Sequence, residues 1–106
     1  PVSFGSQAIA IAERSAALLP GYRDPQEQLA LTLLVAGEYQ RAIEVADMAR
    51  GLATRTDLDG VYLNYITAKA LLRLGRADEA GALINAIAAS EYADAAVLVQ
   101  DLRQVE

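Results

Sequence analysis

A chain of 106 residues, 54% apolar and 22% charged, has the length of one domain and enough apolar side chains to bury a core. A net charge of −5 without any basic run excludes nucleic acid or an anionic membrane surface as partner, because both require clustered Lys and Arg. With neither His nor Cys, the chain has no imidazole base, thiolate, zinc-type ligand pair or disulfide, and neither a metal nor a cofactor is expected.

Twenty-two alanines and fifteen leucines, without the β-branched runs that strands favour, set the class as all-α. Periodicity and breaks predict about six helices, at roughly residues 6–19, 24–36, 38–53, 57–74, 76–89 and 92–104. Connections this short make neighbours antiparallel.

The first helix is apolar almost all round, yet Glu13 and Arg14 interrupt it, and it has no basic leader or cleavage site. It is neither signal peptide nor membrane span, and a cytoplasmic setting is the expectation. One hairpin cannot cover so broad an apolar surface, so the open side either meets an upstream helix of a longer parent or packs on another chain; Ile9 and Ile11 are candidates for self-association, and a homodimer through this helix is an expected state. The start at Pro1 without Met is consistent with Met removal, trimming or excision from a longer protein, and excision is the favoured reading.

Asp24 before Pro25 has the pattern of an N-cap followed by proline at the first helical position, and Asp57 is a candidate cap for the fourth helix. Gly37 and Gly75 stand where a helix must leave through a left-handed residue. In the sixth helix Ala95, Leu98, Leu102 and Val105 form one apolar stripe among polar neighbours, the pattern of a terminal cap.

The two stretches LLVAGEYQRAIEVA (33–46) and LLRLGRADEAGALI (71–84) are near-copies: a Leu pair, a glycine break at Gly37 or Gly75, then Ala42 or Ala80 five residues on. Thirty-four residues separate Ala8 from Ala42, and 38 separate Ala42 from Ala80. The 34-residue helix-turn-helix period, with Ala30, Leu33, Gly37, Tyr39, Ala42 and Ala49 in register, resembles the tetratricopeptide repeat family. A second unit carries Ala68, Leu71, Gly75 and Ala80 at the same places, with Ala77 replacing the aromatic residue and Tyr92 the terminal proline.

The resemblance implies a right-handed superhelix of antiparallel helix pairs, an α-solenoid: a half repeat at 1–22, repeats at 23–56 and 57–91 with four extra residues before the latter, and a capping helix at 92–106. It implies close crossings of Ala30 with Ala42 and of Ala68 with Ala80. It also implies that the first helix of each pair lines a concave groove for protein. Its groove positions here are Asp24, Glu27, Leu31, Leu34 and Val35, then Tyr62, Tyr65, Lys69, Leu72 and Arg73. Some family members clamp a chain-terminal carboxylate with Lys, Asn and Arg. Glu27, Leu31 and Tyr65 stand where clamp residues would be, so an internal segment or a helix fits better.

Tyr62, Tyr65, Lys69 and Arg73 fall on one stripe, three to four residues apart, offering two rings and two cations to an acidic or aromatic segment. Equally, the tyrosines serve only to pack against the preceding hairpin while the two cations stay solvated. Tyr65-Ile-Thr-Ala-Lys69 has the YxxxK spacing of short-chain dehydrogenases but no glycine-rich phosphate loop or strand accompanies it. Asp57-Leu-Asp59-Gly60 resembles part of a calcium loop, with Arg55 and Ile66 where ligands must stand. Acidic pairs such as Asp78-Glu79 complement a helix N-terminus, and no nucleophile has an activating base.

The expected function is therefore non-catalytic binding of a protein segment, with structural self-association of a larger protein as the alternative. Many alanines and eight arginines against a single lysine point to a bacterial source.

Overall fold

The Ala- and Leu-rich composition forms helix almost throughout. In the computed structural model, which describes residues 4–52 and 60–105, six helices hold 78% of those residues and no strand element forms among them. They are α1 (Phe4–Leu18), α2 (Arg23–Val35), α3 (Tyr39–Ala49), α4 (Val61–Arg73), α5 (Ala77–Ala89) and α6 (Ala95–Arg103). Among the described residues no helix is long and apolar enough to cross a membrane.

The near-copies in the sequence produce the same stop twice. Gly37 adopts φ +85° and Gly75 φ +76°, the left-handed conformation that costs glycine little. After α2 the Gly37 N–H donates to the Leu34 carbonyl and the Glu38 N–H to Leu33; after α4 the Gly75 N–H donates to Leu72 and the Arg76 N–H to Leu71. Both are Schellman closures, which satisfy last-turn carbonyls and reverse the chain into the next helix.

Most bounds lie within two residues of those expected; the end of α3 and the starts of α4 and α6 move further, and at α2 the cap itself changes. The helix of α2 begins at Arg23 behind an extended Tyr22, so Asp24 lies in the first turn rather than at the cap, and Pro25 is the third helical residue. Proline is tolerated there because first-turn N–H groups have no acceptor within the helix, while Asp24 still faces the positive helix end. α3 stops at Ala49 rather than 53. α4 starts at Val61 rather than 57, because Gly60 at φ +68° is left-handed and cannot lie inside a right-handed helix. Asp57, the expected cap, is outside the described residues. α6 starts at Ala95, three residues later than expected.

Consecutive helices pack on one another, and α4 also meets α2 and α6. Among the described residues, α1 and α3 make no close backbone approach, nor do α3 and α5. α4 is thus the hub, touching every helix but α1, and carries eight buried residues. Ala30 on α2, Ala42 on α3, Ala68 on α4 and Ala80 on α5 are each 0% exposed, as close crossings within the α2/α3 and α4/α5 pairs require. Leu33, Leu63, Ile66, Ile87 and Leu102 fill the space between, each worth about 1.5–3 kcal/mol relative to exposure.

Polar side chains tie the pairs together. Gln26, buried on α2, donates to the Ala16 carbonyl near the end of α1 at 3.1 Å. Arg50, just past α3, donates to Asn64 and, at 3.2 Å, to Thr67 on α4, while its own carbonyl accepts from Arg23 at 2.9 Å. Four residues at the junction of α2, α3 and α4 thereby share one network, although the Arg23 Nε within it is buried without a hydrogen-bond partner among the described residues.

Candidate partner-binding groove

Where α2 and α4 run side by side, a shallow groove of about 260 Å³ opens between them. Leu31, Leu34 and Val35 form one wall and Tyr62, Tyr65, Lys69 and Arg73 the other, with Tyr39 of α3 alongside. The walls differ because α2 places aliphatic residues at positions where its near-copy α4 places cationic ones: Lys69 stands where Leu31 does, and Arg73 where Val35 does. Seven of the ten groove positions named from the sequence come together here.

The other three do not line the groove. Leu72 is half-buried against the core. Glu27 is half-buried, and its carboxyl pKa is raised, first by burial and then by the charge of Asp24, with Arg23 offsetting part of the effect. Asp24 is exposed and lies outside the lining as well.

The polar wall is already partly occupied. The Tyr65 hydroxyl donates to Asp101 Oδ2 on α6 at 2.6 Å, and Lys69 Nζ donates to the same oxygen at 3.0 Å and to the Tyr65 oxygen at 3.2 Å. The Lys69 ammonium also lies 5.6 Å from the centre of the Tyr65 ring, within cation–π range, and the Tyr62 and Tyr65 rings stand 5.6 Å apart at 44°. The stripe of two free rings and two free cations needs correction: Tyr65 is only 9% exposed and Lys69 is paired. Arg73 is exposed and, among the described residues, has no ion-pair partner within 4 Å.

The electrostatics follow from that closure. Hydrogen bonds from Tyr65 and Lys69 hold the Asp101 carboxyl below its ordinary pKa. Burial and then the bond to Asp101 push the Tyr65 phenol up. Partial burial opposes charge on Lys69, but its bonds to Asp101 and Tyr65 prevail and its pKa rises. The YxxxK spacing does bring the lysine to the phenol, yet the phenol becomes harder to ionise, the reverse of what an activated tyrosine requires.

Asp101 is the residue that sequence reasoning missed. It sits 36 positions from Tyr65 on a helix read as a cap, with no local pattern to mark it. Among the described residues no group of three or more Asp or Glu side chains converges as a metal site would require. No family model matches the chain, and neither curated proteins nor solved structures provide a match.

Proposed function

We propose that this chain is a non-catalytic interaction module of tetratricopeptide-like build, holding a segment or helix of another protein in the α2–α4 groove. The observation that carries the reading is the groove's two-sided chemistry: a contiguous aliphatic wall faces a wall of tyrosines ending in the exposed Arg73. Such a cleft suits a segment with apolar side chains on one side and an aromatic or acidic group on the other. With Lys69 satisfied by Asp101, the acidic group is directed to Arg73.

The contact pattern supports a curved stack. α2, α4 and α6 approach one another in series at the backbone while α1, α3 and α5 do not, α1 and α3 meeting through the Glu13–Arg41 ion pair at 3.2 Å, so one layer is packed more closely than the other. A shortest dimension of 20 Å suits two helix layers of about 10 Å each. The second reading, self-association through α1, draws on Ile11, which is 66% exposed; Ile9, its companion, is half-buried against the core.

A photoreactive benzoylphenylalanine at Leu31 should capture a partner that the same group at Val97 on α6 does not. NMR titration with the captured segment should then shift signals of Leu31, Tyr62 and Arg73, and Arg73→Glu should weaken binding at least tenfold. Shifts confined elsewhere, with affinity unchanged in Leu31→Glu and Arg73→Glu, overturn the proposal.

A further inference from the structure

Two cations line the α2–α4 groove, Lys69 and Arg73, and they stand one turn apart on α4. A pair so spaced would suit a doubly charged group, such as a phosphoryl group or two neighbouring acidic side chains. The fold does not leave that pair open. Asp101 reaches over α4 from α6, and its Oδ2 accepts from Lys69 Nζ at 3.0 Å and from the Tyr65 hydroxyl at 2.6 Å.

The carboxylate is held there by the packing of its own helix. Leu102, the next residue, is 1% exposed, and Ala95 and Val99 of α6 are buried as well. With its backbone so anchored, the short Asp101 side chain has only two torsions through which to move. Its two donors lie in the groove wall, where a charge pair is screened less than in open water. After the bonds from Tyr65 and Lys69, the charge of Arg73 also lowers the Asp101 carboxyl pKa, so the three charges act as one electrostatic unit. One carboxylate against two cations leaves a single positive charge, at Arg73, on a chain that carries −5.

We infer that Asp101 sets the charge specificity of the groove. By neutralising Lys69 it leaves Arg73 as the one uncompensated cation of the lining among the described residues, so the partner segment presents a single carboxylate rather than a phosphoryl group or a pair of acids. Asp101 acts through Lys69 and is a positioning residue; it does not itself line the groove. The inference rests on the reading of this groove as the binding site for a protein segment.

Two small probes read the charge setting without the partner: 3-phenylpropionate, a ring with one negative charge, and phenyl phosphate, a ring with nearly two at about pH 7. Affinities come from NMR titration followed at the signals of Tyr62 and Arg73. In the parent chain phenyl phosphate should bind no more than about threefold more tightly than 3-phenylpropionate, despite its extra charge. Asp101→Asn keeps the shape of the side chain and adds one positive charge to the unit. Because electrostatic energy scales with ligand charge, phenyl phosphate should then gain the square of the factor gained by 3-phenylpropionate, about tenfold against about threefold. Adding Lys69→Gln should cancel both gains. Lys69→Gln alone should lower both affinities by the same factors, an arm that stands even where Asp101→Asn disturbs α6. Asp94→Asn makes the same charge change at the exposed start of α6 and should alter neither affinity by more than about twofold.

Equal gains for the two probes, gains that survive the added Lys69→Gln, or gains as large in Asp94→Asn overturn the inference. Capture of a partner at Leu31 without these gains overturns the charge specificity alone. If neither probe shifts Tyr62 or Arg73 and Leu31 captures nothing, the groove reading fails and this inference with it.

Discussion

The Tyr65 hydroxyl and the Asp101 carboxylate meet at 2.6 Å across 36 residues of sequence, so the last helix is fastened to the hub helix by a charged hydrogen bond beside the groove. Tyr65→Phe keeps the ring and removes the bond. Because the Asp101 side chain is 44% exposed, water compensates in part, and a loss of about 1 kcal/mol by urea unfolding is expected.

The same bond has a pH range. Asp101 titrates below its ordinary 3.8 in the folded chain, so its contribution is complete above that value and disappears as pH falls through the lower folded one. Tyr65 and Lys69 titrate above 10.0 and 10.5, so their contribution is present below those values and fades as pH rises through the folded ones. The stability lost in Tyr65→Phe should therefore be constant near neutrality and shrink at both extremes; a pH series of denaturation midpoints reads it directly.

Glu27 has the opposite sign to Asp101. Its folded pKa lies above 4.5, so its burial favours the protonated form and costs stability once pH rises through the folded value. Glu27→Gln should raise the thermal midpoint at pH 7 and converge on the parent below pH 4.5, where both side chains are neutral.

Arg50 holds the ends of α3 and α4 together through Asn64 and the buried Thr67. Arg50→Ala leaves both without their donor, and about 1–3 kcal/mol of destabilisation is expected. Arg50→Lys should recover little, since a point charge cannot reach two acceptors as the guanidinium fork does.

At the crossings, Ala30→Leu or Ala80→Leu inserts three carbons where no exposed surface remains. Each should cost roughly 1–3 kcal/mol, with a lowered denaturation midpoint. Ala77→Leu, at an exposed position of α5, is the control and should change stability by less than about 0.5 kcal/mol.

Helices, glycine stops and buried alanines were legible because each is written locally: Gly37 and Gly75 need only their own φ, and Ala42 and Ala80 declare themselves by repeating. Most of the groove followed, since stripes on α2 and α4 are read from spacing of three and four. Asp101 and Arg50 were not legible. Their partners lie 36 residues away in one case and 14 and 17 in the other, and an acid or an arginine on an amphipathic helix looks the same whether solvated or bonded. The start of α4 was misplaced because Asp57 looks like a cap, while the left-handed Gly60 decides the matter.

The central position of α4 also sets the order in which this molecule can come apart. α1 and α6 each lie at an edge, whereas α4 is covered by four helices, so fraying at either margin leaves its amides shielded. Deuterium should therefore enter from both flanks and reach residues 61–73 last, only as the whole chain opens.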